Sequence, residues 1–210
     1  LFRSMNLVID DMDHPLIIKV ASIPQTRIQV YFIDNEDYFQ KRSAMTKDEL
    51  GNDYPDNGER AIFFARGVLE TVKKLRWAPD VIHCQGWMSA VIPFYVKTAY
   101  KDEPQFAKSK VVTSLFTEQP RGSLGKKFKQ CLEFKSAELS LIEKYGDNFD
   151  FKELGKLVID YSDGIIQTSN NVNKELIQYA KDNKKEILLQ PDNEEEVKTK
   201  YTEFYNKIIE

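Results

Sequence analysis

A change of hydrophobic period near Pro55 is the feature that most constrains the fold. Before it, apolar and β-branched residues come in short runs bounded by Asp, Pro and polar residues, at 6–9, 15–23 and 27–33. Such closely spaced runs predict antiparallel neighbours or a meander. After it, short apolar strands alternate with amphipathic helices, which is typical of parallel βαβ units. The sequence therefore predicts an α/β fold with a Rossmann-like parallel sheet flanked by helices.

The predicted elements of the second part follow one another through short polar turns. Strands are predicted at 80–84, 110–115, 164–168 and 186–190, and helices at 56–75, 87–98, 151–161, 171–182 and from 194 onward. Asp56, with Glu59 three residues later, has the pattern of a capping box at the first of these helices. Ser169 or Asn170 is the predicted cap of the helix at 171–182.

The C-terminal segment has a pattern of its own. Acidic residues 194–196 fill the first turn of its helix, where negative charge interacts favourably with the helix dipole. Apolar side chains then repeat on one helix face, at Val197, Tyr201, Phe204, Tyr205 and Ile208. We therefore assign residues 1–183 to the Rossmann-like domain, and 184–210 to a short strand and an amphipathic helix that packs on it.

Composition argues against several classes of protein. A net charge of -3 and a pI of about 5.6 disfavour a nucleic-acid binder, which normally carries a basic stripe. No apolar run approaches the roughly 20 residues that cross a bilayer, so we expect no membrane span. Cys84 and Cys131 show neither a disulfide framework nor a metal spacing. We expect reduced thiols in a cytoplasmic protein, with no metal and no cofactor.

The stretch PDVIHCQGWMSAVIP, at 79–93, is the candidate ligand site. A predicted strand ends there and turns through Gln85 and Gly86 into a helix near Trp87. In open α/β sheets, ligands bind at such carboxyl ends of strands. His83, which lies between apolar residues, is either a hydrogen-bonded core histidine or a functional imidazole. Trp87 likewise either packs in the core or contacts a ligand.

Four segments carry a resemblance to a known family. VYFIDNEDYF (30–39), YPDNGERAIFFARGVLE (54–70) and WAPDVIHCQGWMSAVIPFYVK (77–97) resemble, in order and spacing, the N-terminal domain of bacterial glycogen and starch synthases. LGKLVIDYSDGIIQTSNNVNKEL (154–176) is similar to a later helix, turn and strand of that domain. The resemblance implies one half of a two-domain retaining glucosyltransferase, lacking its first βα units in this chain. The family moves glucose from ADP- or UDP-glucose to an α-1,4-glucan.

The chain departs from the family pattern at the positions that carry the chemistry. Where the family reads His-Asp-Trp-His, this sequence has Gln85, Gly86, Trp87 and Met88, so only the tryptophan matches, together with the preceding His83. At the end of the next strand, Leu115 and Phe116 replace the family's His and Asn. The family's Lys-x-Gly-Gly-Leu loop has no counterpart here. We therefore assign these seven residues as site-equivalent positions and no residue as catalytic.

The remaining strand ends offer few groups for a sugar or a phosphate. Glu118, Ser169 and Asn170 are the candidate sugar-binding residues, although Glu118 also fits a solvated loop. No cation lies directly at a strand end, and a departing nucleoside diphosphate requires cations or amide donors. By resemblance, the partners are an α-glucan or a nucleotide sugar.

We therefore expect a glycogen/starch synthase-like protein of glucan biosynthesis that is catalytically impaired as a lone domain. Three alternatives stay open. The chain is a non-enzymatic glucan-binding or regulatory module, a half-enzyme completed by a partner chain or by self-association, or an unrelated βαβ protein with a chance similarity.

Overall fold

The computed structural model of the chain describes residues 5–42, 44–117 and 122–210. Within these residues the strands form two separate sheets. The first is an antiparallel meander of β1 (Met5–Ile9), β2 (Met12–Ser22) and β3 (Gln29–Asp34). The second is parallel, in the order β4 (Val81–Gln85), β5 (Lys110–Leu115), β6 (Gly164–Gln167) and β7 (Glu186–Leu189). The predicted meander and the predicted parallel α/β sheet are both confirmed.

Helices connect and cover these strands. The α-helices are α1 (Asn57–Lys74), α2 (Ile92–Lys97), α3 (Gly125–Cys131), α4 (Phe151–Tyr161), α5 (Lys174–Asp182) and α6 (Glu194–Ile209). Shorter pieces are a π-helical turn at Glu36–Gln40 and 3-10 helices at Trp87–Ser89 and Leu139–Tyr145. None of the helices in the described ranges is long and apolar enough to cross a membrane.

Asp56 is the N-cap residue of α1, as predicted, but the predicted capping box does not form. The Asp56 side chain makes no capping hydrogen bond, and its backbone is not extended as a capping residue's normally is. Instead its Oδ2 accepts from Nη2 of Arg42 at 2.5 Å. The Oε2 of Glu59 accepts from the Tyr38 hydroxyl at 3.3 Å. Tertiary contacts with the preceding segment therefore replace the local cap.

Two other helix boundaries differ from the prediction. The single helix expected at 87–98 is a 3-10 turn followed by α2, and Pro93 lies in the first turn of α2, where its missing N–H costs nothing. The helix expected at 171–182 begins at Lys174, and Ser169 and Asn170 do not cap it. The cap is Asn173, whose Oδ1 accepts from the backbone N–H of Glu175 at 2.9 Å.

Different elements cover the two faces of the parallel sheet. The main core joins both sheets and includes Phe63 and Phe94 together with Ile165 of β6. On the other face, Phe204 and Ile208 of α6 pack against Val112 and Ile166. Gly164 permits this close approach, since a Cβ there would lie 2.9 Å from both Phe204 and Ile208.

Candidate functional site

The turn after β4 begins the candidate site, and Gly86 gives it its shape. Gly86 has φ +74° and ψ 154°, a conformation that is essentially restricted to glycine. The Ser89 hydroxyl donates to the carbonyl oxygen of Gly86 at 2.8 Å and also lies 3.1 Å from that of Gln85. The chain therefore leaves the sheet abruptly and enters the 3-10 turn directly at the carboxyl edge.

A small cleft lies at this edge, between the ends of β4 and β5 and the helices α4 and α5. Its volume is about 40 Å³, whereas small-molecule pockets usually measure roughly 300–1,000 Å³. The described residues that line it are uncharged and mostly apolar: Gly86, Trp87, Ala90, Thr113, Ser114, Leu115, Phe116, Phe151, Leu154, Gly155, Val158 and Leu176. The cleft therefore has no described charge with which to bind a diphosphate.

The structure brings four of the predicted site positions together and separates the others. Gly86, Trp87, Leu115 and Phe116 all line the cleft. Met88 is buried in the main core instead. Gln85 is exposed, and its Nε2 lies 3.4 Å from Nδ1 of the neighbouring His83.

His83 lies on the sheet face that α6 covers. Its Nε2 is 2.8 Å from the Ser114 hydroxyl, and its Nδ1 is 2.7 Å from the Tyr205 hydroxyl. The rings of Tyr201 and Tyr205 meet the imidazole edge-on, with centroids 5.8 Å away. Burial lowers the pKa of His83 below its ordinary value. This geometry favours the hydrogen-bonded core histidine over the functional imidazole.

The candidate sugar-binding residues lie away from the cleft wall. Ser169 is half-buried, and its hydroxyl accepts from the backbone N–H of Asn171 at 3.2 Å. Asn170 is exposed. Thr168, just before them, donates its hydroxyl to the carbonyl oxygen of Leu115 at 2.7 Å and so ties β6 to β5. Glu118 lies outside the described residues.

The α4 wall of the cleft is the part that sequence reasoning missed. Phe151, Leu154 and Val158 line the cleft from α4. A Cβ on Gly155 would lie 2.5 Å from Cδ1 of Leu176, so this glycine lets α4 and α5 approach closely. A glycine inside a strongly amphipathic helix was the available signal of a close contact. Among the described residues, no three His, Cys, Asp or Glu side chains are grouped so that they would hold a metal ion.

Comparison with known proteins gives the family. The family model for the starch synthase catalytic domain matches residues 3–190. A glycogen synthase of Chlorobium luteolum is 42% identical over 107 residues, which cover 51% of this chain and 22% of that protein. A glycogen synthase of Chlorobium limicola is 33% identical over 167 residues, which cover 80% of this chain and 33% of that protein.

A solved structure is similar in fold. It is the catalytic domain of starch synthase IV from Arabidopsis thaliana bound to ADP and acarbose, with a TM-score of 0.66 and 16% identity. The match covers 90% of this chain and 40% of that one. The chain spans a third or less of the length of the curated relatives named above. The predicted resemblance is confirmed, and the chain belongs to the starch synthase catalytic domain family.

Proposed function

We propose that this chain serves α-glucan synthesis as the glucan-binding half of a glucosyltransferase of the glycogen/starch synthase type. The observation that carries the proposal is the family match over residues 3–190. The structurally similar starch synthase was bound to ADP and acarbose, and these ligands fit the nucleotide sugar and the glucan of the proposed reaction. An α-glucan and a nucleotide sugar are therefore the ligands to test.

We further propose that the chain alone transfers glucose poorly or not at all. Transfer requires donors and cations aimed at the departing diphosphate. The described lining of the cleft is uncharged, and the apolar side chains of Leu115 and Phe116 stand where the family resemblance implies His and Asn. The cleft, at about 40 Å³, is also far smaller than the roughly 300 Å³ at which ligand pockets begin.

A half-enzyme completed by a partner chain is the second candidate function. The observation that favours it is the position of β4, which pairs with β5 alone and ends the parallel sheet within the described residues. An unpaired strand edge is a template for another chain. A second polypeptide at this edge would lie beside the candidate cleft, where it would supply the missing cations.

We also propose a cytoplasmic location. Cys84 and Cys131 are both free thiols in the structure. Burial raises the pKa of the Cys84 thiol to about 12, so this cysteine stays protonated and unreactive. Unpaired cysteines fit a reducing compartment.

The test is calorimetric titration of the purified chain with ADP-glucose, UDP-glucose and maltoheptaose, beside an assay of glucosyl transfer to glycogen. We expect heat from maltoheptaose, no saturable response to either nucleotide sugar, and no transfer. Micromolar binding of a nucleotide sugar, or measurable transfer, would contradict the proposed impairment. The absence of a heat signal with maltoheptaose would contradict the glucan-binding role itself. The half-enzyme predicts that transfer appears only when a second polypeptide is added.

A further inference from the structure

A second cavity, which we call the Arg66 cavity, lies beside the antiparallel sheet. Its volume is about 530 Å³, within the usual range of small-molecule pockets. The end of β1, the turn that follows it, Arg66 of α1 and the C-terminal end of α3 line it. It shares no described lining residue with the candidate cleft. The Arg66 cavity is therefore separate from the family site.

The base of this cavity is a buried guanidinium that has no anionic partner. Arg66 is 8% exposed, and its Nη1 donates to the carbonyl oxygen of Val8. Its Cζ lies 3.8 Å from the centre of the Phe134 ring, so the guanidinium stacks on that ring. Its Nε is buried without a hydrogen-bond partner, and among the described residues no carboxylate forms an ion pair with it. Since a buried cation without an anion is costly, a ligand carboxylate would be favoured here.

The acidic residues of the cavity do not supply that anion. The Oδ2 of Asp10 lies 2.8 Å from Nζ of Lys127, which also pairs with Glu59 at 3.1 Å. Asp11 and Glu133 are exposed, and within the described part of the chain neither is in an ion pair. The mouth of the cavity therefore carries unpaired negative charge above a positively charged base.

The turn between β1 and β2 holds one of these carboxylates in place at a conformational cost. Asp10 and Asp11 form its two central residues, with φ +52° and +59°. Glycine is normally preferred at the second position of such a hairpin turn, and Asp11 occupies it. Strain of this kind concentrates at functional sites. Asp11 thus supplies a carboxylate where the turn alone favours glycine.

The charges of the Arg66 cavity exclude two classes of ligand. A phosphate or another polyanion is repelled by the carboxylates at the mouth. No three His, Cys, Asp or Glu side chains of the described ranges are grouped for a metal ion, so the acidic mouth suits an organic cation instead. A ligand with one carboxylate and one ammonium group satisfies both the base and the mouth.

We propose that the Arg66 cavity binds a free α-amino acid with an apolar side chain. The ligand carboxylate accepts from the guanidinium of Arg66, and the ammonium group donates to Asp11 and Glu133. The apolar side chain packs against Val8 and Ile9, which line the same cavity. The inference goes beyond the proposed function and does not depend on it. Binding joins the β1–β2 turn to α3 and so stabilises the folded chain.

The first experiment titrates the purified chain with L-leucine and L-phenylalanine by calorimetry. Each amino acid is compared with the amine that lacks its carboxylate and with the acid that lacks its ammonium group. We expect saturable binding of at least one amino acid, and roughly tenfold weaker binding of both its analogues, because each leaves one charged group of the cavity unpaired.

Two results of this titration would overturn the proposal. One is the absence of binding by either amino acid. The other is an analogue that binds as tightly as its amino acid. An equally tight amine would show that the guanidinium binds no carboxylate, and an equally tight acid would show that the mouth binds no ammonium group.

The second experiment changes the cavity. Arg66→Met keeps an unbranched apolar side chain over Phe134 and removes the charge, so we expect roughly tenfold weaker binding or more. Asp11→Asn keeps the turn, because asparagine tolerates a positive φ, and should weaken binding roughly threefold. Circular dichroism checks that each variant is folded.

Asp102→Asn is the matched control, since Asp102 is exposed and lies outside the lining. It should bind the amino acid as the unsubstituted chain does. Should Arg66→Met not fold, Asp11→Asn still decides the matter. Equal affinities of Asp11→Asn and Asp102→Asn would refute the assigned mouth of the cavity.

A titration with maltoheptaose separates this inference from the proposed function. If the amino acid binds and maltoheptaose does not, the Arg66 cavity stands and the glucan-binding role fails. If maltoheptaose binds and neither amino acid does, the reverse holds. Displacement of the bound amino acid by maltoheptaose would show that the two share one site, which the proposal excludes.

Discussion

At the scale of single residues, backbone conformation sets the shape of the candidate site. The turn after β4 depends on Gly86, whose φ and ψ lie in a region that side chains exclude. The space around it is open among the described residues, since a Cβ there would meet none of their heavy atoms within 4 Å. The requirement for glycine at this turn therefore comes from the backbone and not from crowding.

Gly86→Ala should destabilise the chain by about 1–3 kcal/mol, the usual cost of holding a residue in a forbidden backbone region. Urea unfolding followed by circular dichroism measures it. Gly122→Ala is the control, because Gly122 has no positive φ and no close neighbour among the residues that the structure describes. Equal effects of the two substitutions would show that the turn tolerates a different conformation.

Arg76→Gly should stabilise the chain by about 0.5–1 kcal/mol, because glycine adopts the left-handed conformation without the penalty that Arg76 carries. The same urea experiment measures it, and Arg76→Ala should give no such gain. A loss of stability with glycine would mean that the Arg76 side chain makes a larger contribution than its backbone conformation costs.

At the scale of elements, the docking of α6 decides whether one face of the parallel sheet is covered. Two adjacent isoleucines of α6 differ sharply in environment, since Ile208 is 7% exposed and Ile209 is 44% exposed. Ile208 packs with Val112 and Ile166 of the sheet. They provide a matched pair for testing this interface.

Ile208→Ala should cost about 2–4 kcal/mol, as buried large-to-small substitutions do, whereas Ile209→Ala should cost well under half of that. Thermal or urea unfolding of both variants measures the difference. Limited proteolysis should release the C-terminal segment earlier in Ile208→Ala. Indistinguishable variants would argue that α6 is not docked as described.

The stability of α6 docking should also depend on pH through His83. Folding lowers the pKa of His83 by burying it, so the unfolded chain binds more protons as pH falls below about 6.5. The stabilising contribution is therefore present above that pH and is lost below it. His83→Gln should flatten the fall in unfolding free energy between pH 7.5 and 5. If the unfolding free energy of His83→Gln falls as steeply with pH as that of the unsubstituted chain, another group takes up the protons.

At the scale of the whole molecule, regular periodicity explains which parts could be predicted. Strand 110–115 and helix 151–161 were predicted with the bounds that the structure has, because each carries an uninterrupted pattern. The cap of α5 could not be predicted in the same way, because Ser169, Asn170 and Asn173 are all residue types that cap helices. Contacts that no local pattern specifies fix where the chain turns, among them the hydrogen bond from the Thr168 hydroxyl to the carbonyl of Leu115 in β5.

The candidate cleft was predictable only in part, because only some of its lining residues belong to elements with a regular sequence pattern. The turn after β4 and the end of β5 lie at carboxyl ends of strands, so the sequence places Gly86, Trp87, Leu115 and Phe116 at one edge. The opposite wall comes from α4 and α5, whose position depends on the close approach at Gly155. No local pattern specifies which helix closes over a sheet edge.

The strand order has a consequence for how the chain reaches this structure. Neighbouring strands of the meander are adjacent in sequence, whereas Leu115 at the end of β5 and Gly164 at the start of β6 are separated by the whole segment between them. The long loop between two such strands must lose conformational entropy before the strands can pair, and the pairing offsets that loss only afterwards. Pulsed hydrogen exchange should show amide protection in β1 to β3 before β5 and β6. Simultaneous protection would contradict this.

Until the parallel pairs form, Ile165 and Ile166 stay exposed on a nascent chain, and aggregation of the folding protein should begin there.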